Sequence, residues 1–488
     1  MTRPVHRGPY WKVPLSLEEQ SDAPLFRRIS RAIVAEIQRG RLRPGTRLPG
    51  SRTLAETLLV NRNTVLAAYD ELAGEGWTES SRASGTFVSR SLPDVRRRDF
   101  AGRPSGIGFD LKPAAAAPND LTPPGSAAML VSAGVPDVRM APTVQLARAF
   151  RRVIRKDPET LLSYGYPHGH PRLRAALAAM LAATRGLATE SEDVVVTSGS
   201  QMALDLVSRA LFRSRDVVAV EHLGYSRAWT AFQQHGARLA PIPVDAAGLD
   251  VDALANFVKR TPIRAVYVTP HHQYPTTATL SAGRRIALLE LAKRMRFAVI
   301  EDDYDHEYHY EGRPVLPLAS SDRAGVVIYI GSLAKILAPG VRLGYVAAPR
   351  PLLDSVAAHR ACLDRQGDHA IECAAAELLE HGDIQRHARR AKRIYRARRD
   401  FLVGALRREL GAALSFNVPA GGLTIWATAA PDIDVDAWAS RARERGVTFY
   451  TARDFAYDRR PRPHLRLGFA PFSEQELAGW VKLLRKAL

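Results

Sequence analysis

Between residues 193 and 349, six short apolar runs recur: DVVVTSG, DVVAVEH, IRAVYVTP, FAVIEDD, VVIYIGS and VRLGYVAAP. None shows the polar–apolar alternation of a half-exposed strand, and helical patterns fill most of the gaps between them. Strands that are apolar on both faces and linked through helices build a mostly parallel sheet covered on both sides. This restricts the chain from about residue 127 onward to an α/β architecture. The last hundred residues, with LSFNVPAGGLTIWAT, GVTFYTARDF and HLRLGFAP, predict a smaller α+β subdomain over roughly 365–488.

The start of the chain follows a different pattern. In PLFRRISRAIVAEIQRG, Leu25, Ile29, Ile33 and Ile37 recur every four residues, which predicts an amphipathic helix opened by a proline and closed by Gly40. Ser51 is placed to cap a second helix, SRTLAETLL, and Asn61 a third, RNTVLAAYDELAGEG. WTESSRASGTFVSR then reads as two short strands around a Ser-Gly turn. Three helices followed by a hairpin make a winged helix-turn-helix over residues 1–90. Residues 91–126 carry no periodicity, and 91–125 hold six prolines and four glycines. That composition predicts a linker between two bodies.

The chemistry-bearing residues stand at the ends of the apolar runs. Lys335, in GSLAKILAPGVRLGY, follows Asp302, in FAVIEDDYDHEY, by 33 residues. An aldehyde cofactor needs an amine to hold it, and a pyridine ring needs a carboxylate to keep its nitrogen protonated. Lysine and aspartate in those roles point to pyridoxal phosphate. A lysine used this way needs a lowered pKa, which burial and a cationic neighbour such as Arg342 would supply. Tyr304 is placed to meet the ring hydroxyl. TSGSQMALDL runs from a strand through a small-residue turn into a helix, a backbone cradle for a phosphate with Ser200 and Gln201 beside it. Ser332 and Arg342 offer further phosphate donors. Tyr225 can stack on an aromatic ring, and Arg227 and Arg466 can clamp a carboxylate in bidentate fashion.

In the head, Arg52 opens the second helix, and Arg62, Asn63 and Thr64 open the third. The first residues of a recognition helix face the major groove, where Arg pairs with guanine and Asn with adenine.

These runs carry a resemblance. The head, through LPGSRTLAETLLVNRNTVLAAYDELAGEGW and SGTFV, resembles the GntR-type winged helix. The body, through YGYPHGHPRLR, TSGSQMAL, HHQYPTTATLS, EDDYDHEY, GSLAKILAPGVRLGY and AGGLTIW, resembles a fold type I aminotransferase. Together they resemble the MocR/GabR transcription regulators. The resemblance implies that Lys335 bonds the aldehyde of pyridoxal 5'-phosphate, Asp302 pairs the pyridine nitrogen, Tyr304 meets the ring oxygen and Tyr225 stacks on the ring. It gives the phosphate to Gly199, Ser200, Gln201, Ser332 and Arg342, with Tyr164 reaching the neighbouring subunit's phosphate. Arg227 and Arg466 would bind the effector's carboxylate. Arg52, Arg62, Asn63, Thr64, Arg82 and Gly85 would contact double-stranded DNA at paired half-sites, read by a head-to-tail homodimer. The expected function is a regulator sensing a small amine, an amino acid or vitamin B6. The alternative is an active aminotransferase with a DNA-binding head. Two positions depart from the family pattern: Thr277 stands where glycine is usual, and Thr424 where histidine is usual.

The formal net charge is +19, from 69 Lys/Arg against 50 Asp/Glu, and it suits a polyanionic partner. Residues 1–90 hold 14 Lys/Arg against 9 Asp/Glu, so most of the excess lies on the body. The run HARRAKRIYRARRD at 387–400 reads first as a solvated helix face, and secondly as a surface touching flanking DNA. Cys362 and Cys373 have no metal-binding spacing, so no metal site is expected and a reducing cytoplasm is. No run approaches the ~18 apolar residues of a membrane span, and MTRPVHRGPYWK lacks the apolar stretch of a secretory signal.

Overall fold

The computed structural model describes residues 15, 23–81, 85–93, 110, 129–132, 134–312 and 315–488. It divides into two compact units, Met1–Lys112 and Pro113–Leu488. Arg82 and most of the expected linker lie outside the described residues.

In the first unit, α1 (Leu25–Gln38), α2 (Ser51–Leu58) and α3 (Arg62–Gly74) precede a hairpin of β1 (Thr78–Ser81) and β2 (Gly85–Val88). Ile29, Ile33 and Ile37 are buried against Leu54, Val65, Leu72, Trp77 and Val88, whereas Leu25 is exposed. A strict four-residue step drifts around a helix of 3.6 residues per turn, so the first member of the series leaves the buried stripe. Asn61 caps α3, its side chain accepting from the Asn63 backbone N–H at 2.8 Å. Ser51 does not cap α2: it is the first helical residue, and Gly50 holds the cap position without a side-chain bond.

The second unit is built on a seven-stranded sheet. Its strands are β3 (Val194–Thr197), β4 (Val217–Glu221), β5 (Arg238–Ile242), β6 (Ala265–Val268), β7 (Ala298–Asp303), β8 (Val327–Ser332) and β9 (Gly344–Ala347). They lie in the order β3-β9-β8-β7-β6-β4-β5. All neighbouring pairs are parallel except those of β9, which runs antiparallel to β8 and β3. The six expected runs are all present. The seventh strand, β5, carries Arg238 and Pro241, and it sits at the sheet edge, where a missing N–H is tolerated.

Helices α4 (Ser200–Leu211) and α5 (Ser226–Gln234) follow β3 and β4. The long helix α6 (Asp383–Leu410) leads into a four-stranded sheet of β10 (Leu414–Phe416), β11 (Thr424–Ala429), β12 (Tyr450–Thr451) and β13 (His464–Gly468), ordered β10-β11-β13-β12. Trp438 and Trp480 fill the core beneath it. No helix among the described residues is long and apolar enough to cross a membrane.

Candidate functional site

The C-terminal ends of parallel strands leave a crevice where open α/β sheets bind ligands. Here it is a cavity of about 290 Å³. Asp302 comes from the end of β7, Lys335 from the turn after β8, and Ser200 from the start of α4. Tyr225 and Arg227 come from the start of α5, and Arg466 from β13. These six side chains and Tyr304 line one cavity.

Lys335 Nζ donates to the Gly134 carbonyl at 2.8 Å. Burial pushes its ammonium down to about 8, and the Arg466 guanidinium pushes in the same direction. The helping cation is therefore Arg466 and not Arg342, which is exposed and donates to the Ser198 carbonyl at 2.9 Å. Asp302 is buried, and burial pushes its carboxyl up to about 7 against the opposing pull of the Tyr267 hydroxyl and Lys335. Tyr267 donates to Asp302 Oδ2 at 2.8 Å, while Oδ1 has no hydrogen-bond partner among the described residues. A buried acceptor atom without a donor is costly. A protonated ring nitrogen is the donor that this atom lacks.

The expected phosphate side lies at the start of α4. Gly199 takes a left-handed φ of 83°, and a Cβ there would stand 2.7 Å from Arg342 Nη2. The packing brings Arg342 to this turn. Gly344, the first residue of β9, admits the turn because a Cβ would meet the Ser200 backbone nitrogen at 2.8 Å. Gln201 stands behind the cavity wall, donating from Nε2 to the Arg227 carbonyl at 3.2 Å and accepting from the Tyr225 hydroxyl at 3.4 Å. Ser332 accepts from the Ala334 N–H and, like Gly199, Gln201 and Arg342, does not line the cavity.

Strand β7 ends at Asp303, so Tyr304 follows it in a turn, and its hydroxyl donates to the His272 carbonyl at 3.0 Å. Tyr225 meets Tyr274 edge to face at 5.5 Å. Arg466 is buried; its Nε donates to Thr424 Oγ1 at 3.2 Å and its guanidinium lies 4.3 Å from the Tyr274 ring centre. Thr424, where the family pattern has histidine, thus touches the candidate carboxylate clamp. Thr277, the other departure, holds a left-handed φ of 63°, a conformation that disfavours β-branched residues. Tyr164 is not brought to the cavity: it is 76% exposed, with the Arg365 guanidinium 3.9 Å above its ring.

Residue patterns missed Gly134, Tyr267, Tyr274 and Tyr450, all of which line the cavity. The available signals were a tyrosine inside the strand run IRAVYVTP, and Tyr274 and Tyr450 inside HHQYPTTATLS and GVTFYTARDF, to which no role was given. Gly134 lies about 200 positions from Lys335 and carried none.

In the head, Arg52, Arg62 and Asn63 are exposed and Thr64 is half-buried. Arg62 Nε donates to Ser51 Oγ at 3.2 Å, bridging the starts of α3 and α2. Gly85 opens β2 with a left-handed φ of 103° and is exposed.

The family models match both units: "Aminotransferase class I and II" over residues 128–483, and "Bacterial regulatory proteins, gntR family" over residues 25–88. The probable rhizopine catabolism regulatory protein MocR of Rhizobium meliloti is 33% identical over 476 residues, covering 97% of this chain and 95% of that one. The chain belongs to the MocR-type regulators.

A second member, the HTH-type pyridoxine biosynthesis transcriptional regulator PdxR of Corynebacterium glutamicum, is 32% identical over 81% of each chain. Among solved structures, the body is similar to LysN, the alpha-aminoadipate aminotransferase of Thermus thermophilus. The TM-score is 0.69 with 28% identity, covering 74% of this chain and 92% of that one. Kynurenine aminotransferase of Pyrococcus horikoshii matches with a TM-score of 0.70 and 29% identity, over 74% and 91%. The MocR-type body takes pyridoxal 5'-phosphate as its cofactor, and the unpartnered Asp302 Oδ1, the half-buried Lys335 and the Gly199 turn fit that group.

Proposed function

We propose that this chain is a promoter-binding regulator that senses a small amine, an amino acid or pyridoxal 5'-phosphate itself at the Lys335 cavity. The observation that carries this reading is that Lys335, Asp302 and Arg466 line one cavity in a chain that also bears a winged-helix head. When bound, the cofactor supplies an aldehyde carbon that an amine can attack. Lys335 Nζ would be the protein's amine for it, and Asp302 Oδ1 would accept from the ring nitrogen. The Tyr304 hydroxyl would serve the ring oxygen, and Tyr225 would cover the ring. Ser200, which lines the cavity, would hold the phosphate together with Gly199, Gln201, Ser332 and Arg342 from outside its lining, and Tyr164, exposed on its own body, would serve a second copy in a head-to-tail homodimer. Arg227 and Arg466 bind the effector's carboxylate.

Only the neutral amine of Lys335 could bond to the cofactor's aldehyde carbon. With its ammonium held near 8, the capture rate of pyridoxal 5'-phosphate by cofactor-free protein should rise ~tenfold per pH unit below that value and level off above it. Stopped-flow absorbance between pH 6 and pH 10, on the order of ten points, checks this. A rate still climbing steeply above pH 9 (roughly a unit past the amine's value) would place the attacking amine elsewhere.

In the head, Arg52, Arg62, Asn63, Thr64, Arg82 and Gly85 contact DNA. Mapping the bound promoter in cells and titrating that DNA in the presence of cofactor and candidate amines tests the function directly. Arg62→Ala should weaken specific binding by ~1–3 kcal/mol if the guanidinium reads a guanine. Unchanged affinity removes Arg62 from the contact set.

The complete Lys–Asp pair also permits amino transfer. Multi-turnover transfer to a keto acid, without binding to any mapped promoter, would establish the enzyme in place of the regulator.

A further inference from the structure

Tyr304 donates to the carbonyl of His272, and His272 belongs to a group of histidines for which the cofactor chemistry has no use. His271 and His272 follow β6, and His306 and His309 follow β7. His271, His272 and His309 are 3%, 2% and 8% exposed, and each offers a ring nitrogen within 4.8 Å of the others'. Both nitrogens of His271, Nε2 of His272 and Nδ1 of His309 have no hydrogen-bond partner among the described residues. Buried polar atoms normally find partners, so four orphans in one cluster call for a ligand.

The tautomer of His272 is set by a carboxylate. Its Nδ1 lies 2.7 Å from Asp305 Oδ1, so Nδ1 carries the proton and Nε2 keeps its lone pair. A carboxylate on the far nitrogen is the arrangement that orients a metal-binding imidazole. Gly421 lets the chain pack closely against this ring, since a Cβ there would stand 2.1 Å from His272 Nε2. His306 stacks on His271 at 4.5 Å, with Asp303 2.9 Å from its Nδ1, and walls the cluster on another side.

We propose that His271, His272 and His309 bind a divalent transition-metal ion, zinc in the first instance, with Asp305 as the positioning carboxylate. Three neutral imidazoles suit zinc, whose bonds to nitrogen of ~2.0–2.1 Å bring tetrahedral donors to ~3.4 Å from one another. The sequence-based expectation of no metal rested on cysteine spacing and gave no weight to these histidines.

The test uses untagged full-length holoprotein whose cofactor has been fixed by borohydride, so that the cofactor's own imine cannot chelate. After stripping with a chelator, the protein is titrated with zinc sulfate and passed through gel filtration. The expected content is about one zinc per chain, with cobalt(II) giving the visible bands of a tetrahedral site. His271→Gln and His309→Gln should each lose this binding, Asp305→Asn should weaken it ~10–100-fold, and the exposed His359→Gln should leave it unchanged. Asp305 is not itself a ligand, so its variant keeps the test decisive where a histidine variant fails to fold. Wild-type protein that retains no zinc overturns the proposal. So does zinc that persists undiminished in the His271, His309 and Asp305 variants, because the ion would then sit elsewhere.

Discussion

Lys335→Ala is expected to give a folded protein that no longer shows the visible absorbance of lysine-bound pyridoxal 5'-phosphate and no longer responds to effector, while still binding promoter DNA. The covalent link needs the amine, and no other described residue lining the cavity supplies one: the other cations there, Arg227 and Arg466, carry guanidinium groups. The substitution removes the Nζ bond to the Gly134 carbonyl, which can take a water in the space left. DNA affinity belongs to the head, a separate compact unit. Absorbance spectra, borohydride trapping and promoter titration with and without effector check the three parts. Retention of both the absorbance and the effector response would sink the sensing reading.

Arg466→Ala is expected to leave cofactor binding intact and to weaken the response to carboxylate-bearing effectors ~10–150-fold, the loss of a hydrogen bond to a charged group worth ~1.5–3 kcal/mol. A second readout separates this from general damage. Arg466 is a cation that depresses Lys335, so its removal should move the amine's titration upward from about 8. The pH dependence of cofactor capture by cofactor-free protein reports that shift, and effector titrations report the affinity. Arg466→Lys keeps the charge but not the fork, so it should restore the Lys335 titration without restoring tight carboxylate binding. If effector affinity survives Arg466→Ala, the clamp is Arg227 or lies outside this pair.

A regulator built on this body works only if its effector binds two states with different affinity. Arg466 bridges the two subdomains of the body in this respect. It projects from β13 of the smaller sheet into a cavity whose other walls come mostly from the larger one, and Gly134 permits its approach because a Cβ would stand 2.6 Å from Nη2. A carboxylate held by Arg466 while its amine meets the Lys335-bound cofactor would tie the two subdomains together.

Local patterns determined much of this protein. Apolar runs specified β3, β4, β6, β7, β8 and β9, because a strand buried on both faces has no polar residues to interrupt it. Asp302 and Lys335 were legible because each stands where such a run ends, and an acid or amine there faces the crevice. The recognition helix was legible from Asn61, whose cap depends on neighbours two residues away. Tertiary structure decided the rest. It brought Gly134 to Lys335 and Arg466 to the same lysine from opposite ends of the body, and it left Arg342 facing Ser198 instead. It buried four histidines from two separate loops in one cluster. Contacts between residues far apart in the chain leave no periodicity in it, so only the folded packing, with its burial and its distances, could assign them.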